Sequence, residues 1–503
     1  MTAEQLHDAL GMLPSDLITE TDRLRSQPRK TVIYWRKYAA IAACAVLVLG
    51  CGLFFVDKAL PAMGGGTKEC AIEEDALMSY QNAAPAEMPE PDAAVTGAPA
   101  NEAWDTLTDN APPYAVEEAE GSVRDLMAEI PDEPAEVLDA FDDGVMRNFA
   151  VDLFQNAAKD GENTLISPLS VMSALAMTAN GADGETLTQM ENAMGVPISE
   201  LNSYLCNYMA SQTDQLKLAN SIWFNSSDVL SVREDFLQTN KGYFHADLYE
   251  APMNMETCKT INDWVNTRTD GTIPEILDEI PADAMMYLVN ALAFEAEWPE
   301  VYLETSVGES TFTQEDGTEQ TVELMHSKES MYLEDDFATG FIKPYKDGKY
   351  AFVALLPKDG VSVADYVASL SGAGLQEMLQ NAQDTTVYAA IPKFEAEYGA
   401  DMAEVLKKMG MTDAFDTEKA DFSRMGSCEA GNLHISRVLH KTYITVAEQG
   451  TKAGAATVVE ILCGSAFIPD PKEVTLDRPF VYMLIDCEQN LPFFIGTLMD
   501  TEG

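Results

Sequence analysis

Five histidines, His7, His245, His326, His434 and His440, are the first residues to question for catalysis, and none stands in a pattern that would activate a nucleophile. The chain carries no HExxH zinc pair, no GxSxG elbow and no phosphate-cradling glycine loop. A different chemistry is written in residues 448 to 457, EQGTKAGAAT, which run into the apolar stretch Val458, Val459, Glu460, Ile461, Leu462. In a strand the period of two places Thr451, Ala453, Ala455, Thr457 and Val459 on one face and Lys452, Gly454, Ala456, Val458 and Glu460 on the other. The first face is small enough to enter a packed interior while the second stays outside, which is the requirement for strand addition to a sheet.

With its Glu-Gln-Gly entry, Glu448 to Gly450, this stretch resembles the proximal hinge and reactive-centre loop of the serpins. The resemblance extends through residues 163 to 170, NTLISPLS, with Ser167 and Ser170 in motif positions, and 218 to 224, LANSIWF, with Asn220. It continues through 261 to 273, INDWVNTRTDGTI, and 288 to 298, LVNALAFEAEW, with Asn290, Phe294 and Trp298 in register. AIPKF at 390 to 394, LKKMGMTDAF at 406 to 415, RPF at 478 to 480 and PFFIG at 492 to 496 complete it in the family's order. His440 lies eight residues before Glu448, the family's spacing between its buried histidine and the hinge.

The resemblance implies an α+β serpin fold with three β-sheets, about eight to nine helices and an exposed reactive-centre loop. It also implies a serine-type endopeptidase inhibitor that acts as a suicide substrate and supplies no catalytic residue, cofactor or metal site of its own. A target protease cuts the loop, forms an acyl-enzyme and is carried across the central sheet as the loop inserts. About ten new ladder hydrogen bonds at about 1 kcal/mol each would drive that step. The family's spacing places the reactive bond between Gly464 and Ser465. The stretch from Ser465 to Phe480 is longer than the family norm, so Cys463 or the bond between Phe467 and Ile468 remains an alternative. Small residues there fit elastase-like or subtilisin-like proteases rather than trypsin-like ones. The hinge is Glu448, Gly450, Thr451, Ala453, Ala455 and Thr457. Ser167, Ser170, Asn290 and His440 are expected in a buried polar latch under the central sheet, with Trp298 at the sheet's upper end.

These residues need elements to hold them, and the chain divides accordingly. Its 503 residues carry 31 Lys and Arg against 83 Asp and Glu, a net charge of -52, which repels nucleic acid and anionic surfaces. Residues 1 to 37 read as a cytoplasmic segment, and residues 38 to 56, YAAIAACAVLVLGCGLFFV, as a single transmembrane helix that lacks any charge. Arg23, Arg25, Arg29, Lys30, Arg36 and Lys37 precede that run, so the remainder is expected outside the cell membrane. Val48 to Cys51 also resembles a bacterial lipobox, which would anchor the chain by lipid at Cys51 on the same membrane face. Residues 57 to 135 hold eighteen acidic and three basic residues with nine prolines, and read as a disordered spacer. Residues 136 to 503 are then the serpin domain, expected as a monomer.

The eight cysteines show no CxxC pair or disulfide framework. Most read as small buried hydrophobes, and Cys463 falls in the loop. Two other classes of function compete. A non-inhibitory serpin that binds or carries a partner would tolerate bulky or charged residues on the inward hinge face, which Thr451, Ala453 and Ala455 do not supply. A surface adhesion protein would leave the hinge alternation unexplained.

Overall fold

The computed structural model describes residues 122–131, 135, 142–226, 229–281, 283–451 and 471–502. The expected cytoplasmic segment, membrane helix and lipobox lie outside the described residues, as do Ala453, Ala455, Thr457, Cys463, Gly464 and Ser465. Among the described residues no helix is long and apolar enough to cross a membrane.

The inner layer is a nine-stranded sheet whose central strands are predominantly apolar. β10 (Ala338–Pro344), β11 (Tyr350–Pro357), β18 (Phe480–Asp486) and β19 (Leu491–Leu498) lie side by side in antiparallel ladders, flanked by β2 (Thr164–Ile166) beyond β19. β11, β18 and β19 are buried at every position. Their sequences YAFVALLP, FVYMLID and LPFFIGTL therefore run on as apolar residues instead of alternating, as strands covered on both faces must. The other edge is built by β9 (Glu319–Glu334), β12 (Gln383–Pro392) and β17 (Lys472–Thr475), with β8 (Val307–Thr313) paired to β9. A separate two-stranded ribbon joins β4 (Leu230–Val232) to β14 (Gly426–Cys428).

Over this core lies a second layer in two hydrogen-bonded halves. One half is β1 (Arg124–Asp125), β5 (Asp247–Ala251), β3 (Leu216–Asn225) and β6 (Met286–Phe294), in that order. The other is β13 (Phe394–Asp401), β15 (Leu439–Ala447), β16 (Gly450–Thr451) and β7 (Ala296–Glu297). No ladder joins β6 to β15 among the described residues, so three expected sheets become four hydrogen-bonded ones. The extra division is that unpaired seam between β6 and β15.

Nine α-helices fall among the described residues, within the expected number. The helix Met255–Arg268 crosses the first half of the split sheet, because Cys258, Ile261, Trp264 and Val265 form a buried face against Trp223, Val289 and Ala291. Asn254 caps it by accepting from the amides of Glu256 and Thr257 at 3.0 Å each.

The ordered body begins earlier than the spacer reading allows. Within that stretch, Arg124 and Asp125 pair with Glu250 and Tyr249, and the Leu126 amide donates to Leu248 O at 2.9 Å. Leu126 is buried, and Lys241 Nζ donates to the carbonyls of Met127 and Ile130 at 2.8 and 2.7 Å. Composition concealed this, since the arm's order comes from partners over a hundred residues away. Replacing Lys241 with Met leaves both carbonyls without this donor, and the Leu126 amide is expected to exchange with solvent about tenfold faster or more, measured by hydrogen exchange. Unchanged protection at Leu126 would mean that the strand pairing alone holds the arm.

Candidate functional site

The hinge enters the sheet through a tight turn that its neighbours hold on every side. β15 alternates inward and outward along its length, with His440, Thr442, Ile444 and Val446 buried. After Ala447 the chain turns through Glu448 and Gln449 and comes back as β16, where Thr451 pairs with Val446 on one side and with Ala296 on the other. Trp298 secures the turn twice, its indole Nε1 donating to Ala447 O and its amide to Gln449 O, each at 2.9 Å. The Tyr302 amide donates to Glu448 O at 3.0 Å. Lys393 Nζ stands 2.9 Å from the Glu448 carboxylate and 2.9 Å from that of Glu323. Burial pushes the Glu448 pKa up, but Lys393 outweighs it and leaves the carboxyl below its usual range.

Gly450 is required by the close approach of β7. Its φ is 152°, and a Cβ built there would lie 2.0 Å from Ala296 O. Thr451 follows with its side chain inward and 2% exposed, as the period-two reading expects. Its hydroxyl shares a hydrogen bond of 2.6 Å with Tyr345 Oη, and the Tyr345 ring stacks on Trp298 with centroids 4.5 Å apart. Burial raises the Tyr345 phenol well above its ordinary pKa, so it stays protonated.

The latch residues separate into two groups. Ser167 caps the helix Pro168–Ala179, its Oγ accepting from the Ser170 amide at 3.3 Å with Pro168 in the first turn. The Ser167 amide in turn donates to His440 Nε2 at 3.0 Å, which requires a neutral ring with its proton on Nδ1. Burial drives the His440 pKa down from 6.5 to about 4. Asn290 is bound elsewhere: its Nδ2 donates to Asn220 Oδ1 at 2.7 Å, and Asn220 Nδ2 donates to Phe244 O at 2.9 Å. The buried Oδ1 of Asn290 has no partner. Of the expected cluster of Ser167, Ser170, Asn290 and His440, the hydrogen bonds form a serine-histidine pair at β15 and an asparagine pair at β6.

Sequence reasoning missed Tyr345, Tyr302, Lys393 and Lys343, which complete the upper end of the sheet. Their signal was faint, since each sits far from the hinge in sequence. Among the described residues Cys206, Cys258, Cys428 and Cys487 are free thiols, and of these four Cys258 alone is fully buried, so among them the buried-hydrophobe reading holds strictly for Cys258.

Comparison with known proteins bears directly on this arrangement. Residues 145–501 match the family model described as Serpin (serine protease inhibitor). An uncharacterized serpin-like protein of Thermococcus kodakarensis is 30% identical over 71% of this chain and 84% of its own length. The leukocyte elastase inhibitor of Bos taurus is 32% identical over 70% of this chain and 97% of its own. Among solved structures, the thermophilic serpin tengpin in its native state is 44% identical, with a TM-score of 0.72 over 76% of this chain and 100% of that one. Its latent state gives 0.65 over 72% of this chain and 99% of that one, at 46% identity.

Two outcomes test the site. Below about pH 6.5 an unfolded histidine takes up a proton that folded His440 refuses until about pH 4. Its contribution is therefore complete above pH 6.5, drains as the pH falls and levels off below about 4, a loss on the order of 3 kcal/mol. His440→Gln, which keeps an acceptor but does not titrate, is expected to flatten the thermal midpoint between pH 6.5 and 4 relative to the parent. Gly450→Ala is expected to displace the turn at a cost on the order of 1–3 kcal/mol, seen as a lower thermal midpoint and a red-shifted Trp298 emission.

Proposed function

The chain belongs to the serpin family, and from that membership we propose that it is an inhibitory member, which traps serine proteases by inserting its cleaved loop between β6 and β15. The observation that carries this reading is the split sheet: Gly450 and Thr451 are already paired on both sides, while below them β6 and β15 share no ladder. Two strands that approach without pairing leave amide and carbonyl groups for an incoming strand to use.

Continuing the register makes the proposal specific. Thr451 faces Val446 and Ala296, so six residues further on in the same antiparallel register Thr457 would face His440 and Asn290. Thr457 carries a hydroxyl proton, and the buried Asn290 Oδ1 is an acceptor without one. The inserted strand then answers the latch's open valence as well as forming its ladder.

The chemistry belongs to the protease. Its serine oxygen attacks the carbonyl carbon of Gly464, the amine of Ser465 leaves, and the acyl-enzyme stays joined to the hinge as the strand zips in. Displacement of the catalytic groups then stops hydrolysis, because small changes in alignment cost large factors in rate. The reactive bond is assigned to Gly464 and Ser465, with Cys463 as the alternative. Elastase-like or subtilisin-like enzymes are the proposed targets, in keeping with the small residues there and with relatives named leukocyte elastase inhibitor. We place the serpin domain outside the cell membrane, tethered through residues 38 to 56 or through lipid at Cys51.

Thr451→Arg tests the reading. A long cation does not fit against Tyr345 without losing its solvation, so the variant is expected to be cleaved normally yet release active protease. Lys452→Arg, outward in the alternation, should inhibit as the parent does. The measurement is the yield of SDS-resistant complex with elastase and subtilisin, and the mass of the released fragment reports the bond. A one-to-one complex with Thr451→Arg would sink the insertion mechanism.

A further inference from the structure

Directly beside the hinge lies a buried ion pair that nothing in the trapping chemistry requires. Lys343, at the end of β10, places Nζ 2.7 Å from Glu329 Oε1, with the two side chains 8% and 9% exposed. The same oxygen accepts from Ser327 Oγ at 2.6 Å, and Ser327 Oγ accepts from Tyr302 Oη at 3.1 Å. The ammonium also stands 5.0 Å from the centre of the Trp298 ring and 4.8 Å from that of Tyr302. Burial works against its charge, but Tyr302 and Glu329 together outweigh it, and its pKa lies above the usual lysine value.

Those two rings belong to the residues whose backbone amides hold the hinge turn, Trp298 on Gln449 O and Tyr302 on Glu448 O. We propose that Lys343 is a positioning residue for loop insertion, which fixes Trp298 and Tyr302 by cation–π contact so that the turn presents Gly450 and Thr451 to β7 in register. This rests on the inhibitory reading above for its consequence, but not for its geometry. A buried ion pair is a poor source of net stability, since the cost of removing two charges from water offsets most of their attraction. What it gives here is direction. The ammonium is held by one carboxylate and faces two aromatic rings, so each ring has a preferred distance and tilt that an aliphatic side chain would not impose. Ser327 closes the arrangement by tying the Tyr302 hydroxyl to the same carboxylate.

The test is the double variant Lys343→Met/Glu329→Gln, which removes both charges with little change in volume and leaves neither one buried alone. Its thermal midpoint is expected to match or exceed that of the parent. The amides of Trp298 and Tyr302 should nevertheless exchange about tenfold faster, while Met483 in β18 and Ile495 in β19 keep their protection. With a protease that the parent traps, several-fold more inhibitor should be needed per enzyme, because slower entry of the hinge gives the acyl bond more time to hydrolyse. Unchanged exchange at Trp298 and Tyr302 would overturn the proposal, as would faster exchange with no change in the inhibitor requirement. If the parent itself traps no protease, the inhibitory reading fails, and the exchange result still decides whether Lys343 holds the turn.

Discussion

Between β6 and β15 no ladder forms among the described residues, and much of the molecule is arranged around that unpaired seam. An interior strand normally has both of its edges satisfied, and each unmade ladder bond forgoes about 1 kcal/mol. Here the second half holds at its upper end a two-residue strand, Gly450–Thr451, which is paired to β15 on one side and on the other to β7, the short strand that follows β6 in the chain. Beneath, the apolar inner sheet is complete without the missing strand, since β11, β18 and β19 are already buried throughout. The cost of the opening is thus confined to one layer.

The upper end is built from interactions of different kinds with one result. Backbone donors from Trp298 and Tyr302 hold the carbonyls of the turn, Lys393 holds its carboxylate, and Tyr345 holds the first inward hydroxyl. Gly450 admits no side chain because the carbonyl of Ala296 occupies that space. The lower end is looser in its polar chemistry: His440 Nε2 accepts from the Ser167 amide, and Asn290 retains a buried acceptor without a donor. For the insertion proposed above, tightness above and an open valence below would give strand entry a direction, from the turn downward.

How much of this was legible in the sequence depends on the range of the interaction. The alternation of β15 and Thr451, the Ser167 cap with Pro168 behind it and the unbroken apolar strands of the inner sheet are local patterns, and each corresponds to an element of the structure. The division of the upper sheet was not legible, because the absence of a ladder is a property of two strands together and leaves no mark on either one. The pairing of Asn290 with Asn220 instead of His440 was set by which side of the opening each residue faces. Lys343 carries no signal in the sequence, and only the fold reveals Glu329 and two aromatic rings around it. In residues 122–130 an acidic composition concealed a strand, because a lysine far along the chain supplies the bonds that order it.

The position of β2 has a consequence for how the molecule comes to exist. This three-residue strand pairs with β19, Thr164 opposite Thr497, and its Leu165 carbonyl accepts from Thr442 Oγ1 at 2.7 Å. Its next residue, Ser167, carries the latch to His440. A strand near the start of the domain is therefore seated only when the last one has been made, and closing so long a loop is slow. On a ribosome the region holding Ser167 must wait for nearly the whole chain to emerge. The order of synthesis then puts completion of the inner sheet last, so the chain's first opportunity to set the latch arrives only after the hinge sequence has already been made.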